Sequence, residues 1–166
     1  IKRRGIDSAP DFITVDGGEG GSGAAPQVLM DHVSLPIAEA LPMFVDVLQS
    51  YGLRERVRVI ASGKLVTSTK VAWALCAGAD FVTSARGYMF SLGCIQSLQC
   101  HKDTCPTGIT THNPRLQKGL VVQEKASRVA NYAAWVNHEV DVLAHACGLG
   151  NAREFRREHV RIVQQA

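Results

Sequence analysis

The chain has 166 residues, of which 46% are hydrophobic and 20% charged, and its net charge is +3 at pH 7. This length predicts about one domain, and the apolar share argues against a disordered chain. No apolar run reaches the ~18 residues that a membrane span needs. The small net charge and the scattered basic residues argue against a nucleic-acid partner.

Three short apolar runs predict strands, and each is followed directly by a loop of glycine or other small residues. The runs cover residues 12–15, 57–61 and 81–83. β-branched runs between turn residues are typical of parallel strands that are covered on both faces. The sequence therefore predicts a parallel sheet.

Helical patterns lie between and after these strands. Apolar spacing predicts helices over 37–48, 69–77 and 123–147. We expect a last helix to begin after Asn151 and to run through Val163. Alternating strands and helices predict an α/β fold with right-handed crossovers.

The first candidate site follows the first strand. Residues 16–26 hold five glycines within seven positions, and Gly20, Gly21, Ser22 and Gly23 form the centre of this loop. Glycines let a backbone approach a ligand closely, and successive N–H groups can hold an anion or a ring carbonyl. Three of the glycines also match a dinucleotide fingerprint, but the acidic residue expected after a second strand is missing. A plain surface loop is the alternative.

Two further loops close the second and third strands. The candidate phosphate-binding residues in them are Ser62, Gly63, Lys64, Ala85, Arg86 and Gly87. Lys64 and Arg86 supply positive charge, and a short helical stretch over 87–92 offers its N-terminus to an anion. In (β/α)₈ barrels the last two strand loops and an extra short helix form a phosphate site. Two ordinary turns with solvated basic residues are the alternative.

The cysteines form the third signal. Their odd number, five, and the lack of a secretory signal predict a reducing compartment, the cytoplasm. Cys94, Cys100 and Cys105 fall within twelve residues and a proline follows the last, which is typical of iron–sulfur sites. A zinc site with His101 or His112 as fourth ligand and buried structural thiols are the alternatives.

Other residues carry weaker signals. Asp16 and Glu19 are candidate acid/base groups, although Asp16 serves equally well as a hydrogen-bond acceptor for loop N–H groups. No catalytic residue can be assigned from the sequence. Trp73 and Trp135 are expected in the core because of their size.

In this order, the motifs resemble the FMN-binding synthase domain of the glutamate synthase family. The matching segments are residues 16–26, 61–64, 84–89, 93–95 and 100–108. The resemblance implies a (β/α)₈ barrel that carries FMN and a [3Fe–4S] cluster. It also implies the reduction of 2-iminoglutarate, made from 2-oxoglutarate and ammonia or glutamine nitrogen, to L-glutamate. Ferredoxin or an NAD(P)H-dependent subunit would supply the electrons.

The resemblance also implies roles for individual residues. The FMN phosphate would be held by Gly63, Lys64, Ala85 and Arg86, in the loops that include Ser62 and Gly87. The flavin or substrate would be lined by Gly20 to Gly23. The cluster would be bound by Cys94, Cys100 and Cys105. A zinc-stabilised structural or interaction module is the first alternative. Another FMN-dependent barrel oxidoreductase is the second, and it would lack the three-cysteine cluster.

The length limits how much of a barrel is present, because a closed (β/α)₈ barrel needs ~250 residues. We expect residues 1–166 to be the C-terminal part of an FMN-binding glutamate synthase domain, with about strands six to eight. Barrel strands and helices would fill 1–93, the cysteine cluster loop 94–108, and C-terminal helices 109–166. Such a piece is incomplete for catalysis. Open strand edges predict that it associates with the rest of the barrel or with itself.

Overall fold

The computed structural model describes residues 1–19, 25, 27–30 and 33–161. Within these ranges the strands are β1 (Phe12–Asp16), β2 (Arg58–Ser62) and β3 (Phe81–Thr83). They form one parallel sheet in the order β1-β2-β3. The predicted strands and their parallel arrangement are confirmed.

Four of the described helices follow the predicted segments with small differences at their ends, whereas α4 was not predicted. The described helices are α1 (Ile37–Ser50), α2 (Ser68–Cys76), α3 (Ala85–Leu92), α4 (Pro114–Gln117) and α5 (Val122–Ala146). Short 3₁₀ turns lie at Ile6–Ser8, Gln27–Leu29, Cys100–Lys102, Ala152–Glu154 and Arg157–His159. None of the helices in the described ranges combines the length and the apolar character that a bilayer span requires.

Helix α1 covers one face of the sheet. Its residues Leu41 and Val45 are fully buried and belong to one cluster with Val59 and Ala61 of β2. Their spacing of four places both on a single helix face. A second cluster joins α2 to α5, with Ala72 and Ala144 among its members. The two clusters fix the three main helices around the sheet.

The opposite face of the sheet is open. Phe12 and Phe81, which start β1 and β3, are 60% and 49% exposed. Each of these outer strands pairs with β2 alone in the described sheet. Parallel strands are normally covered on both faces, so this face and the two free edges are surfaces for further structure.

The predicted last helix is wrong within the described residues. After Asn151 the chain forms two 3₁₀ turns and no α-helix, and residues 162–166 lie outside the described ranges. Arginine side chains bind backbone carbonyls in this segment: Arg156 Nη1 donates to the carbonyls of Arg153 and Phe155 at 2.9 and 2.7 Å. These bonds use carbonyls that a continuing helix would need.

One core prediction is also wrong. Trp135 on α5 is 62% exposed and stacks on His138 at a ring-centroid distance of 5.7 Å. Trp73 on α2 is half-buried and packs against the cluster formed by α1 and β2. Size alone therefore gave the wrong environment for Trp135, because its position on α5 turns it away from the sheet.

The strand register brings the loops of the predicted site together. Asp16, Ser62 and Thr83 are neighbours in register, and each ends its strand. Because parallel strands run in one direction, the loops that follow them leave the sheet at the same edge. We call this the carboxyl edge.

Candidate functional site

A cavity of about 480 Å³ lies at the carboxyl edge. The predicted site residues that line it are Ser62, Gly63, Lys64, Ala85, Arg86, Cys94, Cys100 and Cys105. One cavity thus contacts both predicted phosphate loops and all three clustered cysteines. The predicted ligand residues Gly20, Gly21, Ser22 and Gly23 lie outside the described residues.

The loop after β2 depends on Gly63. Its φ is +149°, and an added Cβ would stand 2.8 Å from the Cβ of Ile37 and 3.0 Å from a carboxylate oxygen of Glu19. Lys64 follows with φ +47°, a left-handed conformation that few non-glycine residues adopt. A side chain at position 63 would therefore push apart the loop and the start of α1.

The first turn of α3 lies beside the cavity. Its N-cap residue is Ser84, whose side chain makes no capping hydrogen bond to the helix. The Ser84 hydroxyl instead contacts the Tyr132 hydroxyl at 2.9 Å. The first N–H groups of α3 are therefore not capped by Ser84, and the helix dipole favours negative charge there. Arg86 in this first turn lines the cavity.

Tyr132 connects the two predicted phosphate loops, and sequence reasoning missed this role. Its hydroxyl donates to the carbonyl oxygen of Val66 at 2.7 Å and contacts Ser84 at 2.9 Å. Its ring meets that of Tyr88 edge to face, with centroids 5.1 Å apart. A phenol among the apolar positions of α5 was the available signal, since a buried tyrosine hydroxyl usually has a partner.

Gly87 lies beneath this tyrosine and is not among the residues that line the cavity. It is buried, and an added Cβ would stand 1.9 Å from the Tyr132 hydroxyl oxygen. Gly87 therefore allows α5 to approach α3 closely.

The Glu19 side chain binds the backbone at the start of helix α1. Its two carboxylate oxygens accept hydrogen bonds from the backbone N–H of Ile37 at 2.9 and 3.0 Å. Residue Ile37 is the first of α1, and the N-cap residue Pro36 has no side-chain hydrogen bond to offer. Glu19 thus caps α1 from a distant loop, with its negative charge at the positive end of the helix dipole. Glu19 and Asp16 both line the cavity, and an acid/base role for either carboxylate stays a prediction.

The cysteine loop follows α3 and contains several residues with positive φ. Helix α3 ends at Gly93, which has φ +102°, and Cys94 follows directly. Between Cys94 and Cys100, Gln96 and Leu98 have φ values of +55° and +54°. Cys94 and Cys100, on either side of these left-handed residues, line the same cavity.

Cys105 has an unusual environment. Its burial opposes ionisation, but hydrogen bonding by Thr107 and Thr110 outweighs that effect and lowers the pKa of the Cys105 thiol to about 6. The Thr107 hydroxyl lies 3.3 Å from the sulfur. These surroundings stabilise a thiolate, which is the form that binds metal.

The three thiols do not share a single metal ion. Across the described ranges, no group of three His, Cys, Asp or Glu side chains is close enough to hold one ion. His101 and His112 are exposed and do not line the cavity. The set of three cysteines and one histidine required by the zinc alternative is therefore not assembled around one ion.

Comparison with known proteins gives the family. The family described as "Conserved region in glutamate synthase" matches residues 1–150. The chain belongs to the glutamate synthase family. The resemblance drawn from the sequence motifs is confirmed.

Relatives within the glutamate synthase family are bacterial and archaeal. The chain is 52% identical over 151 residues to the glutamate synthase large subunit-like protein YerD of Bacillus subtilis (strain 168), covering 91% of the chain and 29% of that protein. It is 37% identical over 155 residues to the archaeal glutamate synthase [NADPH] of Methanocaldococcus jannaschii, covering 93% and 30%. The chain therefore spans less than a third of these relatives.

A solved structure supports the α/β fold. A double mutant of flavocytochrome b2 with pyruvate bound matches with a TM-score of 0.52 and 15% identity. The match covers 82% of this glutamate synthase family chain and 29% of the flavocytochrome chain. The likeness concerns the fold alone.

Proposed function

We propose that this chain is the C-terminal part of an FMN-binding glutamate synthase domain and holds part of its FMN site and its [3Fe–4S] site. The observation that carries the proposal is the cavity at the carboxyl edge, where two phosphate-type loops and three cysteines meet. The reaction would be reduction of 2-iminoglutarate, formed from 2-oxoglutarate and ammonia or glutamine nitrogen, to L-glutamate. Membership of the family supports this activity.

The fold supports the assignment to the end of a barrel. The three parallel strands have helices on one face, and the phosphate-type loops follow the second and third strands. In a (β/α)₈ barrel the phosphate site follows strands seven and eight. Strands β1, β2 and β3 would therefore be strands six, seven and eight of the barrel. Residues 1–93 would form barrel elements, 94–108 the cysteine loop, and 109–166 the C-terminal segment.

The residues at the phosphate loops fit FMN. Lys64 and Arg86 line the cavity as cations, and the start of α3 adds uncapped N–H groups. Together they would bind and orient the phosphate through charge-assisted hydrogen bonds. Apolar side chains, Met89, Phe90 and Ile95 among them, line the same cavity and would exclude water from the flavin ring.

The cysteine loop supports the proposal of an iron–sulfur cluster, because all three of its cysteines line one cavity. Cysteine thiolates are the usual ligands of such clusters. Thr107 and Thr110 favour the thiolate at Cys105. When bound, the cluster supplies single electrons and FMN supplies a hydride, which together are the chemistry that imine reduction requires. The electrons would come from ferredoxin or from an NAD(P)H-dependent subunit.

Reconstitution tests the proposal. The chain is incubated with ferrous iron, sulfide and FMN, and iron, flavin and the visible spectrum are measured. We expect about three irons per chain, with Cys94→Ser losing the broad visible absorption while flavin stays bound. Cys147→Ser is the matched control, because Cys147 is exposed and lies outside the cavity.

Three outcomes would contradict the proposal. Zinc at about one per chain with no iron would favour a zinc-stabilised module. Flavin bound without iron would favour another FMN-dependent oxidoreductase. Equal iron loss in the Cys94 and Cys147 variants would remove Cys94 as a ligand.

A further inference from the structure

A second cavity lies at the opposite end of the sheet, where β2 and β3 begin. Its volume is about 690 Å³, and we call it the amino-edge cavity. Helices α1 and α2 and the segment after α5 form its other walls. Five arginines line it: Arg54, Arg58, Arg153, Arg156 and Arg157. No part of the proposed function uses this cavity.

Two acidic residues, Asp80 and Glu55, also line this cavity. The Asp80 carboxylate accepts the Val59 N–H at 2.8 Å and pairs with Arg54 at 2.9 Å and Arg58 at 3.3 Å. Its negative charge is therefore already neutralised by protein groups.

The remaining charge of the lining is positive. Arg157 pairs with Asp46, and Arg54 with Asp80. Arg54 and Arg58 share the single charge of Asp80, and among the lining residues Arg153 and Arg156 face only the exposed Glu55, so the cavity carries an excess of positive charge. Such an excess in a partly enclosed space attracts anions.

Three of these arginines also retain unused donors. Arg58 contacts Asp80 through Nη1, Arg153 donates to the Asp80 carbonyl through Nη1, and Arg156 uses Nη1 for two carbonyls. In the part of the chain that the structure describes, the Nη2 group of each makes no hydrogen bond. A ligand with several acceptor oxygens would satisfy these donors, as phosphates do with arginine.

The remaining wall is apolar and partly aromatic. Phe81 is half exposed, and the Arg153 guanidinium lies 5.2 Å from its ring centroid. Leu75 and Phe155 line the same space. The volume falls within the range of small-molecule sites, about 300–1,000 Å³. A ligand that fits this lining combines phosphate oxygens for the arginines with a flat apolar group for the aromatic wall.

We propose that the amino-edge cavity binds a nucleoside diphosphate. Its phosphates contact Arg58, Arg153 and Arg156, and its base packs against Phe81. This site is separate from the cavity at the carboxyl edge, because the two lie at opposite ends of the strands and share no lining residue.

Calorimetric titration of the chain with ADP tests the proposal, with adenosine and pyrophosphate as partial ligands. We expect ADP to bind at least tenfold more tightly than either part. Arg58→Gln and Arg153→Gln should each weaken ADP binding about tenfold or more, because each removes a charge-assisted hydrogen bond. Arg4→Gln is the matched control, since Arg4 is exposed and lies outside the cavity.

Two checks keep the result decisive. Thermal melts confirm folding, and Arg153→Lys, which retains the charge, should bind ADP better than Arg153→Gln.

Lys64→Gln reports on the other cavity and should leave ADP binding unchanged. Absence of ADP binding below millimolar concentration overturns the proposal, as does equal weakening by Lys64→Gln or by Arg4→Gln. Pyrophosphate binding as tight as ADP overturns the nucleoside part.

Discussion

The hydroxyl of Tyr132 and the carbonyl oxygen of Val66 lie 2.7 Å apart, although 66 positions separate them in the sequence. The same hydroxyl contacts Ser84 at the start of α3. One side chain of α5 therefore positions both loops of the proposed phosphate site, without lining the cavity itself.

Tyr132→Phe removes the hydroxyl and keeps the ring. We expect a loss of stability of about 1–2 kcal/mol, because the two contacts are lost and the Val66 carbonyl loses its donor. FMN affinity should fall several-fold as the loops lose their alignment. Tyr88→Phe is the control, since the described residues give the Tyr88 hydroxyl no hydrogen bond. Urea unfolding and FMN fluorescence titration measure both effects, and equal effects in the two variants would contradict the positioning role.

Gly87→Ala should be more damaging. The new methyl group would stand 1.9 Å from the Tyr132 hydroxyl oxygen and 2.4 Å from its ring carbon, so α3 and α5 must separate. Overpacking of this kind costs about 1–3 kcal/mol. At Gly150 the nearest atom is a flexible Glu154 carboxylate oxygen at 3.1 Å, so Gly150→Ala should cost much less. Thermal melts of both variants test this, and equal losses would speak against close contact at Gly87.

Glu19→Ala should destabilise α1. It removes both acceptors of the Ile37 N–H and the negative charge at the helix start, an effect of about 1 kcal/mol. Glu19→Gln keeps one acceptor and should lose about half as much. Denaturant titration separates the two variants. If both were as stable as the parent chain, the capping role of Glu19 would be wrong.

Cys76 and Cys147 should differ in reactivity. Burial, and secondarily the charge of Cys147, raise the pKa of the Cys76 thiol to about 11. At pH 8 only about one Cys76 thiol in a thousand is then ionised. Iodoacetamide should modify the exposed Cys147 first and reach Cys76 only on unfolding, as mass spectrometry of the digested chain would show. Rapid labelling of Cys76 in the folded chain would contradict this.

The same pKa shift predicts a loss of stability in alkali. A Cys76 thiol ionises near pH 9 when unfolded but only near pH 11 when folded. Unfolding therefore releases a proton from Cys76 between pH 9 and pH 11. The contribution of the neutral Cys76 thiol to the free energy of unfolding is fully present below pH 9 and is lost as the pH rises toward 11. The slope of unfolding free energy against pH should be shallower in Cys76→Ala over this window. An unchanged slope would exclude Cys76 as its source.

The open sheet face should drive association. Phe12 exposes a large ring on β1, an outer strand of the described sheet. We expect the chain to self-associate in sedimentation experiments, and Phe12→Glu to reduce this because a charge is costly at a buried contact. Val28→Glu serves as the control, since Val28 is also exposed but lies outside the sheet. A cooperatively unfolding monomer at all concentrations would refute the expectation.

Local patterns predicted most of the fold. The three strands and the helices α1, α2 and α5 follow from β-branched runs and helical spacing, because burial of one face imposes those periods. The segment after Asn151 could not be predicted, since its conformation depends on Arg156 binding backbone carbonyls. The exposure of Trp135 could not be predicted either. The neighbours of this side chain depend on how α5 packs against the other helices, and the spacing of apolar residues along α5 does not determine that packing.

The candidate site was predictable at the level of loops. Lys64, Arg86 and the three cysteines line one cavity because parallel strands deliver their loops to one edge. The contributions of Tyr132 and Glu19 depend on contacts over 48 and 18 positions, respectively. No sequence pattern predicts which distant residue a tyrosine or a glutamate will contact, so only the three-dimensional structure reveals these two contacts.

The dependence on Tyr132 sets an order of events during synthesis. A ribosome makes the loops after β2 and β3 well before it makes α5, which begins at Val122. Until α5 has emerged and docked, the Val66 carbonyl and the Ser84 hydroxyl lack their shared partner. Binding of the proposed FMN should therefore be a late step of maturation, following translation of the last long helix.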